Sequence, residues 1–208
     1  MTDAKFRLYG RKGSGSLAVQ IVLEETGAPY ELHWVGSTPQ ALEGLRRVNP
    51  AGKVPALVLP DGTAVSESAA LLIYLSTAFP AARLAPPAGT SAHARYLQWM
   101  VFLSANVYES ALRYFYAERY SSAAAQGAPA IQARALEEYT RHLETLAATL
   151  SPYVLGETYS AADPYLYTLA GWHPQLPALQ QRLPALARHA ELLRQRAATR
   201  RAEEDHAE

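Results

Sequence analysis

The chain has 208 residues, 49% of them hydrophobic and 18% charged, and its formal net charge at pH 7 is zero. This composition predicts a folded protein of one large domain or two small ones and excludes wholesale disorder. The zero net charge provides no basic field for nucleic acid, so no nucleic-acid partner is expected. The chain has no cysteine, which excludes disulfides, thiolate metal sites and a cysteine nucleophile.

Membrane association and metal binding are not predicted either. The longest apolar run, at about residues 69–75, is far too short to cross a bilayer. The N-terminal residues become polar and glycine-rich too early for a signal peptide. The six histidines lack the spacing of metal ligands, and we expect a cytoplasmic protein without a metal ion.

The first 80 residues predict an α/β domain with its elements in the order β-α-β-α-β-β-α. Short apolar runs bounded by turn residues are typical of strands, and apolar residues at helical spacing after an N-capping residue are typical of helices. The strands are predicted at residues 6–10, 30–34, 56–59 and 64–66. The helices are predicted to begin near Ser14, Thr38 and Ser68.

The rest of the chain predicts an all-helical domain. Residues 81–90 are rich in proline, alanine and glycine, which is typical of a linker between a domain at residues 1–80 and one at residues 91–200. The charged residues 201–208 are predicted to be a frayed tail. The helices are predicted from about Ser91 to Tyr120, from Pro129 to about Leu150, from Ser160, and, as shorter segments, from Pro177 to about Ala198.

Ser160 and Asp163 have the spacing of a capping box, in which a hydroxyl and a carboxylate bond reciprocally to backbone N–H groups at a helix start. This pair is predicted to support the fold of the helical domain and to take no part in catalysis. Pro164 follows directly and removes an N–H from the first turn, so we expect it to loosen the helix start.

The segment NPAGKVPAL, residues 49–57, places Pro55 directly before a strand. Because proline cannot donate to a sheet ladder, this point is predicted to be a sheet edge or a special turn. A cis Val54–Pro55 bond would turn the backbone N–H and C=O of Val54 outward, where an extended peptide could pair with them. An ordinary trans proline is the alternative, since only about 5–6% of X–Pro bonds in folded proteins are cis.

Four segments in order make the sequence resemble the cytosolic glutathione S-transferase superfamily. They are similar to its first strand, active-site loop and first helix, its proline loop, its glutathione-binding turn and a helix start in its helical domain. In this chain they are residues 8–32, 49–57, 66–75 and 155–167. The resemblance implies a thioredoxin-like N-terminal domain, an all-α C-terminal domain, glutathione as cosubstrate and a homodimer.

The resemblance also implies which residues bind glutathione. In the family, the turn that matches Glu67 and Ser68 holds the γ-glutamyl part, so Ser68 would donate to its carboxylate and Glu67 would pair with its ammonium. A helix N-terminus offers free N–H groups and a positive dipole end, which suit a carboxylate. A capping role alone for Ser68 is the alternative. The proline loop would contribute Lys53, Val54 and Pro55.

Ser14 is the first candidate for the catalytic residue, because it lies in a glycine-rich loop at a helix N-terminus. A thiol with a pKa of about 8.5 is only a few per cent ionised at neutral pH. A hydroxyl that donates to the sulfur, together with the helix end, would lower the thiol pKa by about one to three units. Ser16, Tyr9 and Arg11 are alternatives for this role. Without cysteine, the family branches that form mixed disulfides with glutathione are excluded.

The resemblance implies that the acceptor substrate lies along the C-terminal half of the long helix, at Asn106, Ser110, Arg113 and Tyr114. The predicted function is that of a glutathione S-transferase, which adds glutathione to a small electrophilic molecule in detoxification. A glutathione-dependent isomerase or dehalogenase and a non-catalytic binding protein of the same fold are the alternatives. Scattered acceptor-site residues do not distinguish the two enzyme classes.

Overall fold

The chain folds into two units in the computed structural model. The structure describes residues 5–122 and 124–207. One unit comprises the residues up to Pro86 together with those from Leu193 onward, and the other is Pro87–Leu192. The division after Pro86 falls within the segment predicted to be the linker, 81–90. Residues 1–4, 123 and 208, which belong to the predicted first domain, helix break and tail, lie outside the described residues.

The first unit contains a four-stranded mixed sheet with strand order β2-β1-β3-β4. Strand β1 is parallel to β2 and antiparallel to β3, which is antiparallel to β4. The predicted element order and the α/β class of this part of the chain are confirmed. The elements are β1 (Phe6–Gly10), α1 (Ser16–Thr26), β2 (Tyr30–Trp34), α2 (Pro39–Val48), β3 (Ala56–Val58), β4 (Ala64–Ser66) and α3 (Ser68–Ala78), followed by a 3-10 turn (Pro80–Ala82).

Helices cover both faces of this sheet. Phe6 and Leu8 are buried on the face where α1 packs against β1 and α3, because side chains alternate between the two faces of a strand. On the other face, Leu45 of α2 packs in a cluster with Val35 and Ala56, and Tyr9, Val48 and Val54 border this cluster. The helices packed on the two faces hold the ends of the strands in place relative to the helices that follow them.

The second unit is all-helical, as predicted. Within the described residues, no helix combines the length and apolar character needed to cross a membrane. Its elements are α4 (Ser91–Phe102), a π-helical turn (Leu103–Tyr108), α5 (Glu109–Phe115), a 3-10 turn (Ala117–Tyr120), α6 (Ala124–Ala147), α7 (Ala162–Gly171), α8 (Leu176–Arg182) and α9 (Pro184–Arg194), in which the chain passes back to the first unit.

Two helix predictions in this unit need correction. The long helix predicted to run to Tyr120 contains a π-helical turn and ends at Phe115, because Tyr116 leaves the helical region at φ −130°. The helix predicted to begin at Pro129 begins at Ala124 and includes the proline. The residues ahead of Pro129 are rich in alanine, the strongest helix former, and this propensity extends the helix past the proline on its N-terminal side.

The prediction of a frayed tail is wrong, because residues 201–207 belong to a further helix, α10 (Ala197–Ala207). Helix α10 packs against α1 in the first unit and buries Ala198, Thr199 and Ala202. Its charged residues include Asp205, whose Oδ2 accepts from the Gln20 side-chain nitrogen at 2.7 Å. The charged composition indicated solvation, whereas the small apolar residues form one face that packs on α1.

A bidentate ion pair holds the start of this C-terminal segment. Arg196 donates from Nε and Nη2 to the two carboxylate oxygens of Glu25, in α1, at 2.5 and 2.9 Å. Both side chains are mostly buried, so the pair is less screened than a surface ion pair. It therefore adds a specific polar contact to the apolar packing of α10 on α1.

Candidate active site

Three segments meet at one end of the sheet in the first unit. Strand β1 ends at Gly10. Tyr9, the residue before Gly10, is paired with Ala56, the first residue of β3. Ala56 is paired in turn with Ser66, the last residue of β4. Because neighbouring strands lie about 5 Å apart, the loop after β1, the loop before β3 and the turn after β4 lie side by side. The sequence candidates on these three segments are thus brought to one edge of the sheet.

The loop from Arg11 to Ser16 is held by its own hydrogen bonds. The Ser14 hydroxyl donates to the Arg11 carbonyl at 2.7 Å and lies 2.9 Å from the Ser16 hydroxyl. The Ser16 hydroxyl lies 3.2 Å from the same carbonyl and accepts from the Arg11 N–H at 3.2 Å. The Arg11 guanidinium donates to the carbonyls of Val35 and Gly36 at 3.3 and 3.5 Å, so it is bonded to the backbone after β2.

The two serines differ in exposure. Ser16 is fully buried, whereas Ser14 is half-buried. A Cβ atom on Gly10 would lie 2.7 Å from Ser16 Oγ and 3.5 Å from the Trp34 ring, so only glycine lets the loop close over β1. Ser14 is therefore the serine of this loop that a ligand can reach.

Tyr9, the aromatic candidate for the catalytic role, packs against the sheet. Its ring borders the cluster of Val35, Leu45 and Ala56 and stacks on His33, with ring centroids 5.0 Å apart and planes 16° from parallel. Tyr9 thus supports the sheet next to the proline loop.

The last turn of α10 lies beside Trp34, the last residue of β2. The His206 ring packs edge-on against Trp34, with centroids 4.9 Å apart. Burial lowers the pKa of His206 to about 4, and the positive charge of Lys12, in the loop after β1, adds to that lowering. His206 is therefore neutral at pH 7 and contacts Trp34 as an uncharged aromatic ring.

The loop before β3 presents backbone groups. The Val54–Pro55 bond is cis, which is the alternative that the sequence left open. No hydrogen bond involves the Val54 N–H or C=O within the described residues, so both groups are available to an extended peptide. Buried Asn49 shapes this loop: its side-chain nitrogen donates to the Lys53 carbonyl at 2.7 Å, and its side-chain oxygen accepts from the Ala51 N–H at 3.1 Å.

Asn49 is a residue whose role sequence reasoning missed. The sequence places it in the segment 49–57, next to a proline that is typical of a turn, and assigns no task to its side chain. The signal in the sequence is Gly52, three residues later. In the structure it adopts φ +64°, and its N–H donates to the Asn49 carbonyl at 2.8 Å. A polar side chain that is buried next to such a turn is expected to bond to the backbone of the turn.

The turn after β4 contains a strained residue. Glu67 is exposed and adopts φ 73° and ψ 113°, outside the regions that L residues prefer. Ser68 follows as the first residue of α3 and is buried. The first N–H groups of α3 have no partners within the helix, so this end of the helix favours an anion. Backbone strain of this kind costs about 1–3 kcal/mol and is concentrated at ligand-binding sites.

Replacing Glu67 with glycine should give a more stable protein than replacing it with alanine. Both variants lose the carboxylate, but only glycine relieves the positive φ, and we expect a difference in unfolding free energy of about 1 kcal/mol. Urea unfolding of the two variants measures it. Equal stabilities would show that the φ of Glu67 is not strained.

The second unit holds the residues that the resemblance assigned to the acceptor site. Asn106 lies half-buried in the π-helical turn, and Tyr114 lies half-buried in α5. Arg113 pairs with Glu109 at 3.2 Å. Ser110 differs from these three because it is buried, and its hydroxyl donates to the Val107 carbonyl at 2.9 Å. Its hydroxyl is therefore used within the unit and is not offered to a ligand.

Within the part of the chain that the structure describes, no group of three or more His, Asp or Glu side chains is arranged to hold a metal ion. The ligand that the edge of the sheet suits is instead a short extended peptide with a charged end. Val54 offers backbone pairing, the start of α3 offers N–H groups to a carboxylate, and Glu67 offers a carboxylate to an ammonium group.

The fold and this site define a class: a thioredoxin-like sheet with a cis proline before its third strand, followed in the chain by an all-helical unit. Comparison with known proteins gives the family. The family model for the glutathione S-transferase N-terminal domain matches residues 16–78. The GST-like protein YncG of Escherichia coli, named as uncharacterized, is 30% identical over 174 residues, which are 81% of this chain and 82% of that protein.

Solved structures extend the similarity to nearly the whole chain. A sphingomonad glutathione S-transferase complexed with glutathione is 32% identical, with a TM-score of 0.81 over 97% of this chain and 98% of that one. A glutathione transferase homolog from Sulfitobacter with bound glutathione is 26% identical, with a TM-score of 0.88 over 97% of this chain and 98% of that one. This chain belongs to the glutathione S-transferase family.

Proposed function

We propose that this chain is a glutathione transferase that binds glutathione at the edge of the sheet and activates its thiol for attack on a small electrophilic molecule. The observation that carries the proposal is the pairing of Tyr9 with Ala56 and of Ala56 with Ser66. This register brings a hydroxyl-bearing loop, a cis-proline loop and a helix N-terminus to one place. The relatives crystallised with glutathione, described above, support the same ligand.

Glutathione has a γ-glutamyl end, a central cysteinyl unit and a terminal carboxylate, and the edge offers a partner for each. Ser68 and the first N–H groups of α3 would receive the γ-glutamyl carboxylate, and Glu67 would pair with the neighbouring ammonium. Val54 would bond through its N–H and C=O to the cysteinyl backbone. Lys53 is exposed beside it and supplies a positive charge for a carboxylate.

Ser14 would donate its hydroxyl proton to the glutathione sulfur. A hydrogen bond to a charged group contributes about 1.5–3 kcal/mol, and the thiolate is the charged form. The N-terminus of α1, which begins two residues later, favours the same negative charge by about 0.3–1 kcal/mol. The serine is thus a hydrogen-bond donor that lowers the thiol pKa, and the nucleophile is the glutathione sulfur.

Glutathione should raise the melting temperature of this protein, because the site exists only in the folded state. A ligand at 100 times its dissociation constant adds about 2.7 kcal/mol to the unfolding free energy. Differential scanning fluorimetry with glutathione at millimolar concentrations measures the shift. Glu67→Ala is the matched variant and should show a smaller shift; an unchanged melting temperature of the parent protein would contradict the proposal.

The assembly and the acceptor complete the proposal. A homodimer is expected from the family and from the zero net charge, which does not oppose self-association. The acceptor would be a small electrophile handled in detoxification, contacted by Asn106, Arg113 and Tyr114. A cytoplasmic location fits, since the cytosol holds the reduced glutathione pool.

The homodimer is tested by the mass of the protein in solution. Light scattering at micromolar concentration should report twice the chain mass of 22.7 kDa; the monomer mass would contradict the dimer.

A further inference from the structure

We propose that Ser16 is a positioning residue, whose buried hydroxyl occupies the Arg11 carbonyl when Ser14 turns its own proton toward the glutathione sulfur. The inference rests on the proposed role of Ser14 and goes beyond it, because it assigns a separate task to the second serine of the loop. It is carried by the arrangement of two hydroxyl groups around one carbonyl oxygen.

Each serine hydroxyl has a single proton to donate. The Ser14 proton is within reach of the Arg11 carbonyl at 2.7 Å, so in the free protein this donor is already used. Donation to a sulfur atom requires the hydroxyl to rotate away from that carbonyl. A rotation that leaves a backbone oxygen with one partner fewer costs free energy, and this cost would weaken the bond to the sulfur.

Ser16 removes that cost. Its Oγ lies 3.2 Å from the Arg11 carbonyl and 2.9 Å from Ser14 Oγ, so its proton can move between these two acceptors by rotation alone. When the Ser14 hydroxyl rotates toward the sulfur, the Ser16 hydroxyl donates to the Arg11 carbonyl in its place. Ser14 Oγ keeps its position because it still accepts from the Ser16 N–H at 3.3 Å. The thiol proton itself leaves to solvent water.

The position of Ser16 allows this task and excludes direct contact with the ligand. Ser16 is fully buried, and its Oγ would lie only 2.7 Å from a Cβ atom on residue 10 if that residue were not glycine. The Arg11 N–H donates to it at 3.2 Å, which leaves the hydroxyl proton directed at Ser14 or at the Arg11 carbonyl. Ser16 therefore acts on the sulfur only through Ser14.

The test is a double-mutant cycle on the pKa of protein-bound glutathione, followed by the ultraviolet absorbance of the thiolate. Ser14→Ala and Ser16→Ala should each raise this pKa, and the Ser16 variant should lose about three- to tenfold in rate at neutral pH, as expected for one neutral hydrogen bond. In the Ser14→Ala background, Ser16→Ala should cause no further change. Glutathione affinity should stay close to that of the parent in the Ser16 variant.

Ser76→Ala is the matched control, because Ser76 is another buried serine of the first unit whose hydroxyl donates to a backbone carbonyl, that of Leu72 at 2.6 Å. It should change stability without changing the thiol pKa. A second pair, Ser16→Thr and Ser16→Val, has the same shape with and without a hydroxyl. The threonine variant should keep the low thiol pKa and the valine variant should lose it.

The outcomes separate this inference from the proposed function. If Ser14→Ala raises the thiol pKa and Ser16→Ala does not, the inference is overturned and the role of Ser14 stands. If the two substitutions add in the double variant, Ser16 acts independently of Ser14 and the inference is overturned as well. If Ser14→Ala leaves the thiol pKa unchanged while glutathione still binds, the donor assignment fails and the inference fails with it.

Discussion

Asp163→Asn is expected to destabilise the second unit by about 3 kcal/mol, through the loss of hydrogen bonds to a buried charged group. The carboxylate is fully buried. Its Oδ1 accepts from the Val154 N–H at 2.8 Å and lies 3.1 Å from His189 Nε2. Its Oδ2 accepts from the Ser160 N–H at 2.8 Å. An asparagine NH2 would face a backbone N–H in either orientation, so one buried donor would always meet another donor.

Urea unfolding, followed by circular dichroism, measures this loss. Ser160→Ala is the control within the same capping box: it removes only a hydroxyl that lies 3.2 Å from Asp163 Oδ2 and accepts from the Ala162 N–H at 3.3 Å. The control should cost about 1 kcal/mol, as capping serines usually do. If Asp163→Asn cost no more than Ser160→Ala, the backbone bonds of the carboxylate would not be what stabilises this helix start.

Ser14→Ala is expected to slow the transferase reaction about ten- to hundredfold near neutral pH, since a hydrogen bond to the thiolate is lost. Glutathione affinity should fall only slightly, because the turn at Glu67 and Ser68 is untouched. The pKa of the bound thiol should rise. Steady-state rates with a chromogenic electrophile and the thiolate absorbance measure the two effects.

The pH dependence of this variant identifies the cause of the rate loss. A raised thiol pKa lowers the fraction of bound glutathione that is thiolate, but only at pH values near or below that pKa. The rate difference between parent and variant should therefore shrink as the pH rises through the pKa. Lys53→Ala, which is expected to weaken binding of a carboxylate, should give a difference that does not shrink in this way. A rate loss for Ser14→Ala that is the same at all pH values would contradict thiolate stabilisation by the serine.

Local chemistry made several parts of the fold predictable. The element order of the first unit follows from signals within a few residues, such as the N-capping Thr38 before Pro39, whose side chain accepts from the Ala41 N–H at 3.2 Å. Gly27, at φ 65°, ends α1 as its position predicts. The reciprocal pairing of Ser160 and Asp163 was predicted too. The expected loosening by Pro164 is not seen: Pro164 lies buried in the first turn of α7, where a backbone N–H has no partner within the helix.

The features that local patterns do not predict depend on contacts formed in the folded chain. Ser16 has the same local setting as Ser14, and its burial follows from its contact with Gly10 in β1. The tail is charged enough to suggest solvation, yet Asp205 bonds to a residue 185 positions away in the chain. No window of neighbouring residues contains such a pairing, so periodicity and propensity do not predict it.

The sequence by itself determined the two kinds of domain and the order of their elements, because capping, turn and apolar-period signals are local. Its resemblance to the family implied which segments carry the candidate glutathione site. The tertiary structure alone decided that these segments share one edge of the sheet, that Ser14 and not Ser16 is accessible, and that Glu67 adopts a strained φ. Strand register and burial arise from contacts that exist only in the folded chain, and the positive φ of Glu67 is a property of the folded backbone, so no local pattern specifies them.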